Sequence, residues 1–499
     1  MKENTKLFPS SILLSASVVL LAVSFYSSKN NLLRIAAVVL SVAFAFLNKI
    51  WELFLQTKTG KKLGLMLYLN DLRKKSKSIN QSQLFLAKYL MDLKVSENED
   101  ELTSFTEVKN HLNESWPFMI PVRNTREKLV TAKGIQAKCI SSYSYLDLCR
   151  DERVQEEAIK AARAYSTGNH GPRMLCGNLE ILENLEVRIS DFFRKESALV
   201  FSSGYLACMS TIAGVARKGD LLLMDKLCHA SLKAGAKLSG VSPVYFKHND
   251  FADAEKQIKA NLGKCPGRLI VVIEGIYSMD GDIGDLPSAR TLCDKYKGFL
   301  ILDEAHSLGC IGKTGRGTEE HYDWIASADV ICGSFTKSIA SVGGYITCSK
   351  DLRNFYTFYG AGVVFSAPLS AYHAGAADKS FEILDQEPER VQKLQENGKY
   401  LREKFIENGF NIGDTVTCVV PVIFRDTIKC LKIHELLLKR GIFTSLVMAP
   451  ACPVTAPRFR ITCTSAMNKE DLDEIVEAFK FARDEVPDCE KVKEILKFF

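Results

Sequence analysis

Five short, almost wholly apolar runs constrain the fold of this chain more than any other feature: SALVFSSG (197–204), GDLLLMD (219–225), RLIVVIEG (268–275), FLILDEA (299–305) and ADVICGS (328–334). Between them lie helix-length segments, among them ACMSTIAGVARK, HASLKAGAKL and PSARTLCDKYKG. A strand that is apolar without alternation is buried on both faces. Strand–helix alternation at this spacing therefore specifies an α/β fold with a mostly parallel central sheet covered on both sides. In such sheets ligands gather at the carboxyl ends of the strands, so chemistry is expected just beyond each run.

At 499 residues the chain exceeds one small core. Beyond residue 375, helices (YLREKFIENG, KCLKIHELLLKRG) and short strands (VVPVIF, RFRITCT) predict a smaller C-terminal α+β domain. The N-terminus differs in kind. Residues 10–27 carry no charge, and after the polar break SKNN the run LLRIAAVVLSVAFAFL (32–47) is apolar except for Arg34. Each run is near the lower limit of the roughly 17–25 residues that cross a bilayer as a helix. No A-x-A cleavage site follows, which disfavours a secretory signal. Trp51 then sits where an interfacial aromatic belongs, and Lys58, Lys61, Lys62, Arg73, Lys74 and Lys75 follow it. By the positive-inside rule this basic stretch and the body after it face the cytosol. One or two membrane-spanning segments are both compatible with the pattern. The expected organisation is a membrane anchor (1–50), a basic linker with helices (51–130), a large domain with an N-terminal arm (131–375) and a small domain (376–499).

Net charge is a modest +6, and much of it lies near the N-terminus, which argues against a nucleic-acid partner. The 15 cysteines are scattered without a C-x-x-C pair, the pattern of reduced thiols rather than a disulfide framework or a metal site. SLGCIGKT (307–314) imitates a phosphate-binding P-loop, but Ser307 stands where the first glycine is required, so it reads as a glycine-rich turn.

The strand ends present a coherent set. Ser203, Gly204 and Tyr205 open a helix whose free amides suit a phosphate. His229 follows the second run, Ser278 the third, Asp303 and His306 the fourth, and Ser334 and Lys337 the fifth. Pyridoxal 5'-phosphate needs an amine to condense with its aldehyde, an anion beside its pyridinium nitrogen, a phosphate cradle and a ring on its face. Lys337 supplies the amine and Asp303 the anion. His306 and Ser278 are expected at the phenolic oxygen and His229 against the ring. Ser203, Gly204, Tyr205 and Ser334 are expected around the phosphate.

VIEGIYSMDGD (272–282), LDEAHSLGCIG (302–312), GSFTKSIASVGG (333–344) and PACPVTAPRFRITCT (450–464) resemble the α-oxoamine synthases, fold-type I pyridoxal-phosphate enzymes that join an amino acid to an acyl-CoA. The resemblance spans roughly residues 130–485. Within that family, FKHND (246–250), CGNLEILENLE (176–186), GRGTEEHY (315–322) and the N-terminal apolar pair are similar to the serine palmitoyltransferases. That resemblance implies L-serine and palmitoyl-CoA as substrates and Lys337 as covalent lysine and base. It also implies Arg460 as holder of the substrate carboxylate, and a dimer, with itself or with a paralogue. It further implies attachment to membrane lipid at the endoplasmic reticulum, with the catalytic body in the cytosol. Two alternatives remain open: a synthase using glycine or alanine, and a non-catalytic partner subunit. The chain departs from the family at SYLD (144–147), GPR (171–173), Leu182 and FSA (365–367), positions that in the family serve a partner's active site.

Overall fold

The computed structural model describes residues 117–124, 129–448, 451–453 and 455–488. The expected anchor and nearly all of the basic linker lie outside the described residues. Among the described residues no helix is long and apolar enough to cross a membrane.

Strands are numbered in chain order. At the N-terminal end are β1 (Val122–Asn124), β2 (Leu129–Ala132) and β3 (Ile135–Cys139). The large sheet is built from β4 (Ser197–Phe201), β5 (Leu221–Asp225), β6 (Val244–Phe246), β7 (Leu269–Glu274), β8 (Phe299–Asp303), β9 (Val330–Ser334) and β10 (Gly344–Cys348). The C-terminal part adds β11 (Val419–Ile423), β12 (Ile442–Phe443), β13 (Ser445–Val447) and β14 (Arg458–Thr462).

The seven-stranded sheet has the order β4-β10-β9-β8-β7-β5-β6. Its pairs are parallel from β9 across to β6, as the apolar runs predict. The sheet is nevertheless mixed, because β10 runs antiparallel to both β4 and β9. Every residue of β5, β7, β9 and β10 is buried. Helices Gly204–Val215, Ala230–Ser239 and Leu286–Tyr296 supply the connections, and Asp285 caps the last of them by accepting from the Ser288 amide.

Two smaller sheets complete the body, β1-β2-β3-β12 and β11-β14-β13. The first joins the N-terminal arm to the C-terminal part, since β3 pairs in parallel with β12. The helix Ala371–Gln386 runs unbroken across residue 376. All described cysteines are free thiols.

Candidate active site

Register alone brings the central groups together. Glu274 lies opposite Asp303 across β7 and β8, and Asp303 lies opposite Cys332 across β8 and β9. Glu274 and Asp303 are the last residues of their strands, and Cys332 lies within β9. The five aliphatic side chains of β7, Leu269 to Ile273, are fully buried. Each contributes about 1.5–3 kcal/mol relative to exposure. The strand can therefore carry the buried Glu274, whose carboxyl is pushed well above its usual range by burial and by neighbouring Asp303.

Lys337 follows β9 and is half-buried. Burial pushes its ammonium down, against the opposing pull of Asp303. Asp303 is 4% exposed; its Oδ1 accepts from the Ala305 amide at 2.9 Å and its Oδ2 accepts from the Cys208 thiol at 3.4 Å. His306 Nδ1 is 2.8 Å from the Tyr145 hydroxyl, and burial, with Lys337 and His229 nearby, pushes its imidazole well below the usual range. His229 caps the helix Ala230–Ser239, accepting from the Ser231 amide, while its own amide donates to Glu274. Its outer side is open to solvent, yet the protein packed behind it lowers its pKa.

Cys208, Asp303 and Cys332 place ligand-type atoms within 4.8 Å of one another. Metal binding needs thiolates. A hydrogen bond from Cys332 favours the Cys208 thiolate, but burial and Asp303 together raise that thiol above its usual value. Giving that hydrogen bond raises Cys332 well above its own, and burial adds to the effect. The trio is better read as a carboxylate with a thiol donor.

The expected phosphate residues converge in part. Ser203 caps the helix Gly204–Val215 by accepting from the Leu206 amide at 3.1 Å. Gly204 lies so near β9 that a Cβ there would come within 2.4 Å of the Ser334 Cβ. Only glycine lets this helix start close on Ser334, whose Oγ is 2.7 Å from the Thr336 Oγ1. The result is a helix N-terminus flanked by hydroxyls, suited to a phosphate. Tyr205, next to Gly204 in the first turn of the same helix, is 52% exposed.

Arg460 reaches the cluster from β14. It is 5% exposed, its Nη1 donates to the Ser278 carbonyl at 3.3 Å, and its Nε has no partner among the described residues. Burial lowers its pKa to about 10. A buried guanidinium with an unmet donor is costly unless an anion completes it. Its guanidinium carbon lies 4.5 Å from the centre of the Tyr143 ring; Lys337 Nζ is 6.0 Å from the same centre, and His306 packs edge-on to that ring at 5.6 Å. Tyr143, Tyr145, Cys208 and Glu274 are the site residues that sequence reasoning missed. Tyr143 and Tyr145 flank or fall within the SYLD segment, and Glu274 ends the VIEG run, so position relative to the motifs was the available signal.

The cradle, the buried carboxylate and the depressed lysine fit pyridoxal phosphate. Residues 140–479 match the family described as Aminotransferase class I and II. The 8-amino-7-oxononanoate synthase of Alkaliphilus oremlandii is 35% identical over 73% of this chain and 91% of its own. The serine palmitoyltransferase of Bacteroides thetaiotaomicron is 34% identical over 72% of this chain and 91% of its own. Among solved structures, a Sphingomonas wittichii serine palmitoyltransferase is 26% identical, covers 78% of this chain and 99% of its own, and gives a TM-score of 0.74. A serine palmitoyltransferase solved with a PLP internal aldimine has the same coverage, identity and score. This chain belongs to the class I and II aminotransferase family and, within it, to the pyridoxal-phosphate-dependent α-oxoamine synthases.

Proposed function

We propose that this protein is a serine C-palmitoyltransferase, condensing L-serine with palmitoyl-CoA to 3-ketosphinganine with release of CO2 and coenzyme A. One observation carries the reading. A buried arginine with an unmet donor and a lysine driven toward its neutral amine face the same tyrosine ring. That pairing suits an α-amino acid, whose carboxylate and Cα–H lie one bond apart.

Pyridoxal phosphate, when bound, supplies a sink for the electron pair left as a bond to Cα breaks. The protein's residues do the rest. Arg460 accepts the substrate carboxylate in its planar fork. Lys337, its ammonium disfavoured by burial, takes the Cα proton. Asp303 would face the ring nitrogen, with the Cys208 thiol donating to its carboxylate. His229 would cover the ring face, and His306 and Ser278 would serve the phenolic oxygen. Ser203, Gly204, Tyr205 and Ser334 would hold the phosphate. The new carbon–carbon bond forms between Cα and the thioester carbonyl, coenzyme A leaves as the thiol, and the carboxylate departs as CO2.

The apolar pair at 10–47 supports an anchor in the endoplasmic reticulum membrane with the body in the cytosol, since acyl donor and product both partition into lipid. The four-part organisation expected from the sequence, and a dimer with itself or a paralogue, belong to the same proposal. The second reading, a synthase using alanine or glycine, draws support from the 35% identity to an 8-amino-7-oxononanoate synthase. Purified protein loaded with cofactor and assayed with L-serine, L-alanine and glycine against acyl-CoAs of increasing length separates the two. The serine reading expects long-chain ketone from serine only. Turnover with alanine and a short or carboxylated acyl-CoA would replace it with the second.

A further inference from the structure

FKHND (246–250) leaves β6 and contributes no expected catalytic group, yet it occupies a junction. His248 Nδ1 lies 3.0 Å from Asp225 Oδ2, and its Nε2 lies 2.7 Å from Asp282 Oδ2. Asp225, fully buried at the end of β5, also accepts from the amides of Leu227 at 2.8 Å and Asn249 at 2.9 Å. It thereby shapes the turn 225–229 that delivers His229. Asp282 closes the loop that follows β7. Its carbonyl accepts from the Tyr277 amide at 3.1 Å, and the Asn249 side chain donates to its Oδ2 at 2.9 Å. That loop carries Ser278, whose carbonyl receives Arg460, while Met279 and Asp280 receive Arg458.

We infer that His248 is a positioning residue, an imidazolium clamp that holds the turn bearing His229 and the loop bearing Ser278 at a fixed separation and so sets the amino-acid site. Burial opposes a charge on His248, but its hydrogen bonds to Asp225 and then Asp282 outweigh it and raise its pKa to about 10. Tyr277 packs edge-on to the imidazole at 4.4 Å and Asn249 braces both aspartates. His248 hydrogen-bonds to Asp225 and Asp282 and not to Lys337, Asp303 or His306, so its influence on the reaction passes through the two loops. The inference deepens the amino-acid site proposed above and rests on that reading.

The test compares His248→Gln and Asp282→Asn in the cofactor-loaded full chain. Each is expected to lower kcat/KM for the amino acid by roughly 10- to 100-fold, the scale on which small misplacements act, chiefly through KM. KM for the acyl-CoA should stay near that of the unmodified protein. The double variant should be no worse than the weaker single, because both cut one clamp. Amino-acid affinity measured calorimetrically should fall in parallel, with unfolding still cooperative. Unchanged amino-acid affinity in a folded Asp282→Asn variant would overturn the clamp, as would equal losses for both substrates. The unmodified protein identifies which amino acid it binds, so failure of the serine reading shows there and leaves the clamp testable on whichever amino acid does bind.

Discussion

Two clusters at the carboxyl ends of one sheet treat charge in opposite ways. Around Lys337 and His306 burial dominates, and both groups are driven toward neutrality. Around His248 the burial is opposed by two aspartates, and the charged form wins. The first arrangement spends stability to keep an amine ready to take a proton. The second uses stability to hold loops in place. Perturbed groups mark functional sites, and the direction of the perturbation separates a reacting group from a supporting one.

The contrast is broken most severely at Lys337. Lys337→Ala should lower turnover on the order of 10⁴-fold or more, at least the upper end of a general-base contribution. It should leave the unfolding midpoint unchanged or higher, because the removed amine sits where burial disfavours its charged form. Steady-state rates and thermal unfolding check both halves; a variant that loses activity only because it unfolds would put Lys337 in the supporting class. Asp303→Asn should come next, with kcat lowered about 10²-fold or more, as for loss of one preorganised electrostatic partner. Binding of the amino acid through Arg460 should change less. The measurement is Cα–H exchange with solvent deuterium beside amino-acid affinity, and near-normal exchange with weakened affinity would contradict the assignment.

The smallest effect lies in the pH dependence of stability. His248 has a folded pKa raised from 6.5 to about 10. Its contribution is fully present below about pH 6.5, the unfolded value, and is lost as pH rises through about 10. Unfolding midpoints followed from pH 6 to pH 10 should therefore fall more steeply for the unmodified protein than for His248→Gln. Parallel curves would show the imidazole to be neutral.

Much of this architecture was legible because buried parallel strands read as continuous apolar runs, and their last residues are where the cluster stands. Two strands of the large sheet were not. β6 is only Val244–Phe246, and β10, GYITC, has polar residues within it and pairs antiparallel. Lys337, Asp303, His306 and His229 stood out because they mark the ends of three of the apolar runs. The meeting of Tyr143 with Arg460 was not, since it depends on β14 of the small sheet coming against the chain just after β3. Nor was the clamp: FKHND stood out only by resemblance, and its partners Asp225 and Asp282 follow different strands.

The central claim is that Lys337 is the amine which reacts. Borohydride added to the cofactor-loaded protein fixes pyridoxal phosphate to whichever lysine it has condensed with, and peptide mapping by mass spectrometry then locates it. The account predicts one pyridoxyl-modified peptide, containing GSFTKSIASVGG and modified at Lys337. Modification at another lysine, or cofactor that remains bound yet is not fixed to any lysine, would contradict it.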